Sequence, residues 1–348
     1  MARRILWASL ALAPLTLVVD ALFHPGKVAL FVMSAVSLVP LAWLIGESTE
    51  HAAEHTGARI GGLLNASFGN APELIIALIA VSDSLPNVVR GSMAGRVVSN
   101  ILLVLGVSFI LGPDNARLDL RSLAVQLGLV AIAVALLLIP SIPGWHGDPE
   151  RRSLQLLSII PAVVLLVLYL VTLTIGLRRT SRPEQEEEPS TGWSLKTSLL
   201  ALAVATVLTT LISEVLVHSL EAFAHAAHLT EFFISMVIVA IVGNAAEHGG
   251  AVVIARRGKM KLATEIAISS SAQVALLVVP VVMLLSFAFP HPLTLAFRPV
   301  ELAAMGAAAV LVAIVIRDAR ARRWEGFLLV GVYGAMVVAF LFAGDRGG

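Results

Sequence analysis

Apolar residues run through this chain in long blocks separated by short polar interruptions. A helix that crosses the hydrocarbon core of a bilayer needs about 20 mostly apolar residues. At that length the pattern predicts eleven spans, at 5–22, 28–46, 60–82, 88–112, 121–141, 154–177, 197–220, 231–254, 264–287, 299–316 and 324–343. The first follows Arg3-Arg4 and contains Ala11-Leu12-Ala13, the outline of a signal peptide. Pro14 would directly follow the cleavage point and the apolar run continues through Val19, so an uncleaved helix is expected.

Composition and charge narrow the class. Hydrophobic residues make up 58% of the chain and charged residues 14%, with a mean hydropathy of +0.91. A soluble domain carries about a quarter charged residues, so this composition is that of an integral membrane protein whose surroundings are the lipid bilayer. A net charge of +1, without basic runs, gives no sign of nucleic acid, and none is expected as a partner. There is no Cys, which excludes disulfides and thiolate chemistry. Lys and Arg in short loops orient a membrane chain. They gather at Arg3, Arg4, Arg117, Arg121, Arg256, Arg257, Arg320 and Arg323, and are sparse at Lys27, Arg90 and Arg151 on the other side. The N-terminus is expected in the cytoplasm and the C-terminus outside. Abundant Ala and few Lys fit a bacterial source, hence an inner (plasma) membrane.

One sequence occurs twice. Gly69-Asn70-Ala71-Pro72-Glu73 returns as Gly243-Asn244-Ala245-Ala246-Glu247, and every matched position is offset by 174 residues. A carboxylate in a spanning segment costs about 2.5–3.5 kcal/mol on insertion scales, so such residues mark function. The polar stretch 178–196, with Glu184, Glu186, Glu187 and Glu188 amid Pro and Ser, separates the two copies. It reads as a solvated cytoplasmic loop or short acidic helix, with cation sensing left open. The chain therefore divides into a leading transmembrane helix (1–26), a five-helix repeat (27–177), the acidic linker (178–196) and a second five-helix repeat (197–348). An odd number of helices per repeat inverts the second copy, giving an all-α protein of inverted repeats with its substrate site where the repeats meet. Glu73 lies 13 residues and Glu247 16 residues into its expected span, about 20 and 24 Å at 1.5 Å per residue. The two carboxylates are expected to approach each other near mid-membrane.

The chemistry around them suits a cation. Asn70 and Glu73 are three residues apart on one helix face, as are Asn244 and Glu247. Pro72 removes one helical hydrogen bond and frees a carbonyl. Carboxylate, amide and carbonyl oxygens are the ligands a hard cation such as Ca²⁺ prefers. Two like charges in an empty site also favour a bound proton, so protons and cations compete there. Ser99-Asn100 and Ser271-Ala272-Gln273 supply polar groups on the following helices, Asn100 and Gln273 being 173 residues apart.

At these residues the sequence resembles the cation/proton exchanger (CAX) family, Ca²⁺/H⁺ antiporters of the calcium/cation antiporter superfamily. The likeness lies in Gly61 to Ile75, Val242 to His248, Ser99 to Gly106 and Ser270 to Leu276. The resemblance implies that Glu73 and Glu247 bind the transported cation and exchange it for protons, that Asn70, Asn244, Asn100 and Gln273 line the site, and that Ser99 and Ser271 stand nearby. His248 would tune protonation or simply pack. Two positions depart from the family. Pro72 stands where a small or β-branched residue is usual, so its helix is expected to bend differently. Arg96 falls in Gly95-Arg96-Val97-Val98-Ser99-Asn100, where the family has Gly-Ser-x-x-Ser-Asn. A guanidinium one turn from Asn100 is expected to weaken divalent binding or alter cation choice.

Other features carry weaker chemistry. His51-Ala52-Ala53-Glu54-His55 matches a zinc-peptidase pattern, giving a minor alternative of a membrane metallohydrolase. Glu50 and Glu214 occupy inverse-related helix ends and would line the two access paths. The expectation is a transporter and not an enzyme, without a cofactor, exporting cytoplasmic Ca²⁺ against protons by alternating access. Mn²⁺, Na⁺ or K⁺ at the same two-glutamate site, a cation channel, and a homo-oligomer all stay open.

Overall fold

Long apolar runs fold as long helices, and Gly-Asn joints interrupt them. In a computed structural model, which describes residues 2–180 and 192–344, α1 (Ala2–Ser9) and α2 (Leu12–Phe23) lead into α3 (Lys27–Phe68), a 42-residue helix. After Gly69-Asn70 comes α4 (Ala71–Ser82). Next, α5 (Pro86–Ser99) passes through a π-helical turn (Asn100–Val104) into α6 (Leu105–Leu111), followed by α7 (Leu120–Gly144) and α8 (Arg152–Thr180). The second half begins with α9 (Leu195–Ala227). A rod then runs from α10 (Glu231–Phe233) through a π turn (Ile234–Val239) to α11 (Ala240–Gly243), and breaks at Asn244 before α12 (Ala245–Arg256). Finally α13 (Met260–Gln273) passes through a π turn (Val274–Val278) into α14 (Val279–Leu285), ahead of α15 (Pro299–Val315) and α16 (Arg323–Phe342). Two-residue strands β1 (Ala116–Arg117) and β2 (Arg320–Ala321) pair antiparallel.

Among the described residues, nine helices are long and apolar enough to span a bilayer, or ten if the rod and α12, bent by 58° at Asn244, form one span. The fold is therefore an all-α membrane architecture, but the count of eleven is not reproduced. The expected spans 28–46 and 60–82 are not separate: α3 runs on to Phe68 and leaves only the 12-residue α4. Residues 47–59 are rich in Glu, His and Ala, hold no Pro and a single Gly, and so continue a helix. The acidic stretch 181–191 lies outside the described residues.

The chain forms two compact units, residues 1–79 with 167–226, and residues 80–166 with 227–348. Each takes segments from both sides of the acidic linker. In the first unit, Leu44, Ile45, Leu202 and Ala205 form a core beside Trp43, Phe68 and Trp193. There Phe31 stacks on Phe223 at 4.2 Å, and Thr16 bonds Ser37 at 3.0 Å between α2 and α3.

In the second unit, α5 is buried on every face from Val88 to Ser99, although it carries Arg90, Ser92, Arg96 and Ser99. Its glycines allow close approach to the 231–243 rod: a Cβ at Gly95 would lie 2.7 Å from the Met236 carbonyl carbon and 2.9 Å from the Ala240 Cβ. The α6–α16 crossing is equally tight, a Cβ on Gly326 falling 2.6 Å from the Gly106 carbonyl. Arg90, assigned from sequence to an outer loop, is buried in α5, where it pairs with Glu150 at 2.6 Å and donates to the Thr294 carbonyl at 3.2 Å. The π turns at Asn100–Val104 and Val274–Val278 are themselves 174 residues apart, the spacing of the repeated motif.

Candidate functional site

Both copies of the motif start a helix instead of sitting inside one. Asn70 precedes α4 and its carbonyl accepts the Leu74 N–H at 3.1 Å; Asn244 precedes α12 and its carbonyl accepts the His248 N–H at 2.9 Å. Glu73 and Glu247 therefore occupy the third position of their helices, where the positive end of the helix dipole favours a carboxylate. The pattern is that of a capping sequence, a polar N-cap followed three residues later by Glu. Pro72 takes the second position of α4, where an N–H would have no helical partner in any case. The expected loss of a helical bond at Pro72 is therefore replaced by a full break one turn earlier, at Gly69-Asn70.

Asn100 is the hub of the second unit, 1% exposed. Its Oδ1 accepts from His248 Nε2 at 2.7 Å and from Asn244 Nδ2 at 3.3 Å. Its Nδ2 donates to Ser270 Oγ at 3.0 Å, and Ser270 Oγ donates in turn to Glu247 Oε2. Donors thus point one way, from His248 and Asn244 through Asn100 and Ser270 to the carboxylate. Such a chain is polarised in a single direction and stabilises negative charge at its end. Arg96, 2% exposed, lies within Coulombic reach of both Glu247 and His248. Its guanidinium rests against Gly243, so that a Cβ there would fall 3.0 Å from Cζ and 3.4 Å from Nε.

The second unit therefore gathers Arg96, Asn100, Asn244, Glu247 and His248. Asn70 and Glu73, each 2% exposed, belong to the first unit. Gln273 ends α13, half-buried, one turn beyond Ser270. The hydroxyls of Ser99 and Ser271 turn to backbone: Ser99 donates to the Arg96 carbonyl at 3.2 Å, and Ser271 to the Val97 and Ala267 carbonyls at 3.3 Å. Ser270, passed over in the sequence, is the serine that touches the carboxylate. Its signal was its i, i+3 relation to Gln273.

Glu50 and Glu214 are both exposed, and Glu214 lines a cavity of about 400 Å³ with Asp20, Lys27 and His218. The His-x-x-Glu-His segment does not converge on a metal position. His51 Nδ1 lies 3.2 Å from Glu54, and His55 Nε2 donates to the Trp193 carbonyl at 2.7 Å. No group of three or more His, Asp or Glu is arranged to hold a metal among the described residues. A cation here would draw on carboxylate oxygen together with amide, hydroxyl and backbone oxygens, the donor set of hard ions.

A family model described as sodium/calcium exchanger protein matches residues 26–177 and 197–342. The chain belongs to this family. Within the sodium/calcium exchanger family its likeness falls on the cation/proton exchangers that the motifs resemble. It is 36% identical over 337 residues to the Ca²⁺/H⁺ antiporter ChaA of Bacillus subtilis (strain 168), covering 93% of this chain and 95% of that protein. It is 33% identical over 344 residues to vacuolar cation/proton exchanger 1b of Oryza sativa subsp. japonica, covering 91% and 76%. The crystal structure of the selenium-substituted Ca²⁺/H⁺ antiporter YfkE superposes with a TM-score of 0.83 at 35% identity, over 97% of this chain and 99% of that one. None of these named relatives is a peptidase, and the metallohydrolase alternative is not favoured.

Proposed function

We propose that this chain is a secondary active transporter that exchanges Ca²⁺, or a related cation, for protons by alternating access. The observation that carries the reading is the one-way donor chain ending on Glu247, in a family whose named relatives are Ca²⁺/H⁺ antiporters. Glu73 and Glu247 bind the cation and give up their protons to do so, while Asn70, Asn244, Asn100 and Gln273 contribute oxygen ligands. Ser270 responds to the state of Glu247, donating to the carboxylate when it is charged and free to turn away when it is protonated. Loading with a cation or with protons permits the conformational change; a bare, doubly charged site does not. The protein operates in a bacterial inner membrane, N-terminus inside and C-terminus outside, exporting Ca²⁺ as protons enter. No bond is made or broken and no cofactor takes part, so it is not an enzyme. A second reading, in which the physiological cation is monovalent, Na⁺ or K⁺, is favoured by one observation, the positive charge of Arg96 near Glu247.

The test is cation-dependent proton flux in proteoliposomes carrying an internal pH dye. Wild type releases protons on Ca²⁺ addition, and Glu73→Gln and Glu247→Gln each lose at least 90% of that signal. Flux with a monovalent ion alone would retain the mechanism and overturn the substrate. Undiminished flux in either variant would remove that glutamate from the mechanism.

A further inference from the structure

Arg96 is a built-in cation next to a proposed cation site, and the fold makes room for it. It stands four residues before Asn100, on the same face of α5 as the hub. Its guanidinium fills the space a Cβ on Gly243 would take, with Cζ 3.0 Å from that position. Gly243 ends the 231–243 rod, and the C-terminal end of a helical run favours positive charge. On the other side of the break, Glu247 opens α12. The broken helix thus presents its negative end to Arg96 and its positive end to Glu247, with one residue of joint, Asn244, between the two segments.

We propose that Arg96 is a tethered counter-ion, seated by Gly243, that balances Glu247 while the site holds no substrate and competes with the incoming cation for it. The inference rests on the antiporter reading above and adds a specificity-determining pair to it. A divalent ion meets twice the repulsion from Arg96 that a monovalent ion meets. Arg96 therefore raises the Ca²⁺ concentration needed for transport and narrows the preference for divalent over monovalent ions. It also shortens the time Glu247 keeps a bound cation, which favours release. Because the guanidinium occupies the space a Cβ would take, positions 96 and 243 are coupled: a side chain at 243 displaces the guanidinium from its seat, and has nothing to displace once Arg96 is shortened.

The experiment measures Ca²⁺ binding by isothermal titration and Ca²⁺-driven proton flux, on purified wild type, Arg96→Gln, Arg96→Lys, Gly243→Ala and the double variant Arg96→Ser/Gly243→Ala with its Arg96→Ser parent. Arg96→Gln is expected to lower the KM for Ca²⁺ and its Kd at least tenfold, with turnover unchanged or slower. Arg96→Lys, which keeps the charge, stays within threefold of wild type. Gly243→Ala alone loses most transport, whereas adding it to Arg96→Ser changes transport less than twofold. A KM unchanged or raised in Arg96→Gln, or Gly243→Ala equally damaging in both backgrounds, overturns the counter-ion role while wild-type Ca²⁺ flux leaves the antiporter intact. Wild type that neither binds nor moves Ca²⁺ would sink the antiporter reading first, and this inference with it.

Discussion

Asn100 shows how a single side chain can tie three elements to one carboxylate. Replaced by Leu, it leaves His248, Asn244 and Ser270 without the partners they have now. An unmet buried polar group can cost about 1–3 kcal/mol, but hydrogen bonds inside membranes average about 0.6 kcal/mol, because the released groups find other partners. The second figure governs here, and Asn100→Leu is expected to destabilise by about 2 kcal/mol, the sum over its three bonds, read as a lower melting temperature in detergent. Transport should fall at least tenfold in the same protein, since the donor chain to Glu247 is cut. Normal flux in a folded Asn100→Leu protein would show that the chain is structural only. Glu247 and Asn244, which the structure puts in one buried hydrogen-bonded cluster, were legible as candidates in the sequence because a charge inside an apolar run is costly and so marks function. Ser270 was not, since which of three consecutive serines faces a carboxylate depends on a rotation of about 100° per residue. Gly243 reads as a motif residue, and only the guanidinium packed on it gives its reason.

Among the elements, the helix breaks at Gly69-Asn70 and Asn244 did carry a sequence signal. An Asn followed three residues later by Glu reads as a helix start, but the apolar surroundings make a continuous span look better. Fusion of two expected spans into α3 has the opposite cause, a polar stretch of good helix formers that offers nothing to stop a helix. The α5 glycines give a test at this scale. Gly95→Ala places a methyl group against the Met236 backbone, which cannot yield cheaply, and should destabilise by about 1–3 kcal/mol. Gly128→Ala, in α7 with no atom within 4 Å of the new methyl, should instead stabilise by up to about 1 kcal/mol. Unfolding of the two variants side by side, by titration with a denaturing detergent, checks both signs. Equal effects would mean that the α5 contact is looser than it looks.

For the molecule as a whole, hydropathy was enough to give an all-α membrane protein, and the two motif copies were enough to suggest two related halves. What it could not give was the grouping into compact units, because segments distant in sequence pack together and each unit draws on both sides of the linker. The orientation proposed from loop charges is open to a clean measurement, since the chain has no Cys of its own. A single Cys at the exposed His146 should react with an impermeant maleimide on intact cells, and one at Ser190 only after permeabilisation. The reverse pattern would overturn the proposed orientation, while the direction of exchange, set by the ion gradients, would stay the same. A last consequence concerns length. Each π turn closes its hydrogen-bonded ring with one residue more than an α turn, and α6 takes its rotation from the turn before it. Conservative exchanges among Ile101, Leu102, Leu103 and Val104 would leave that rotation alone. Deleting any one of them would let a regular helix form and swing Gly106 about 100° away from Gly326. In this stretch the number of residues is under tighter constraint than their identity, and a shorter relative would have to have rebuilt the α6–α16 crossing.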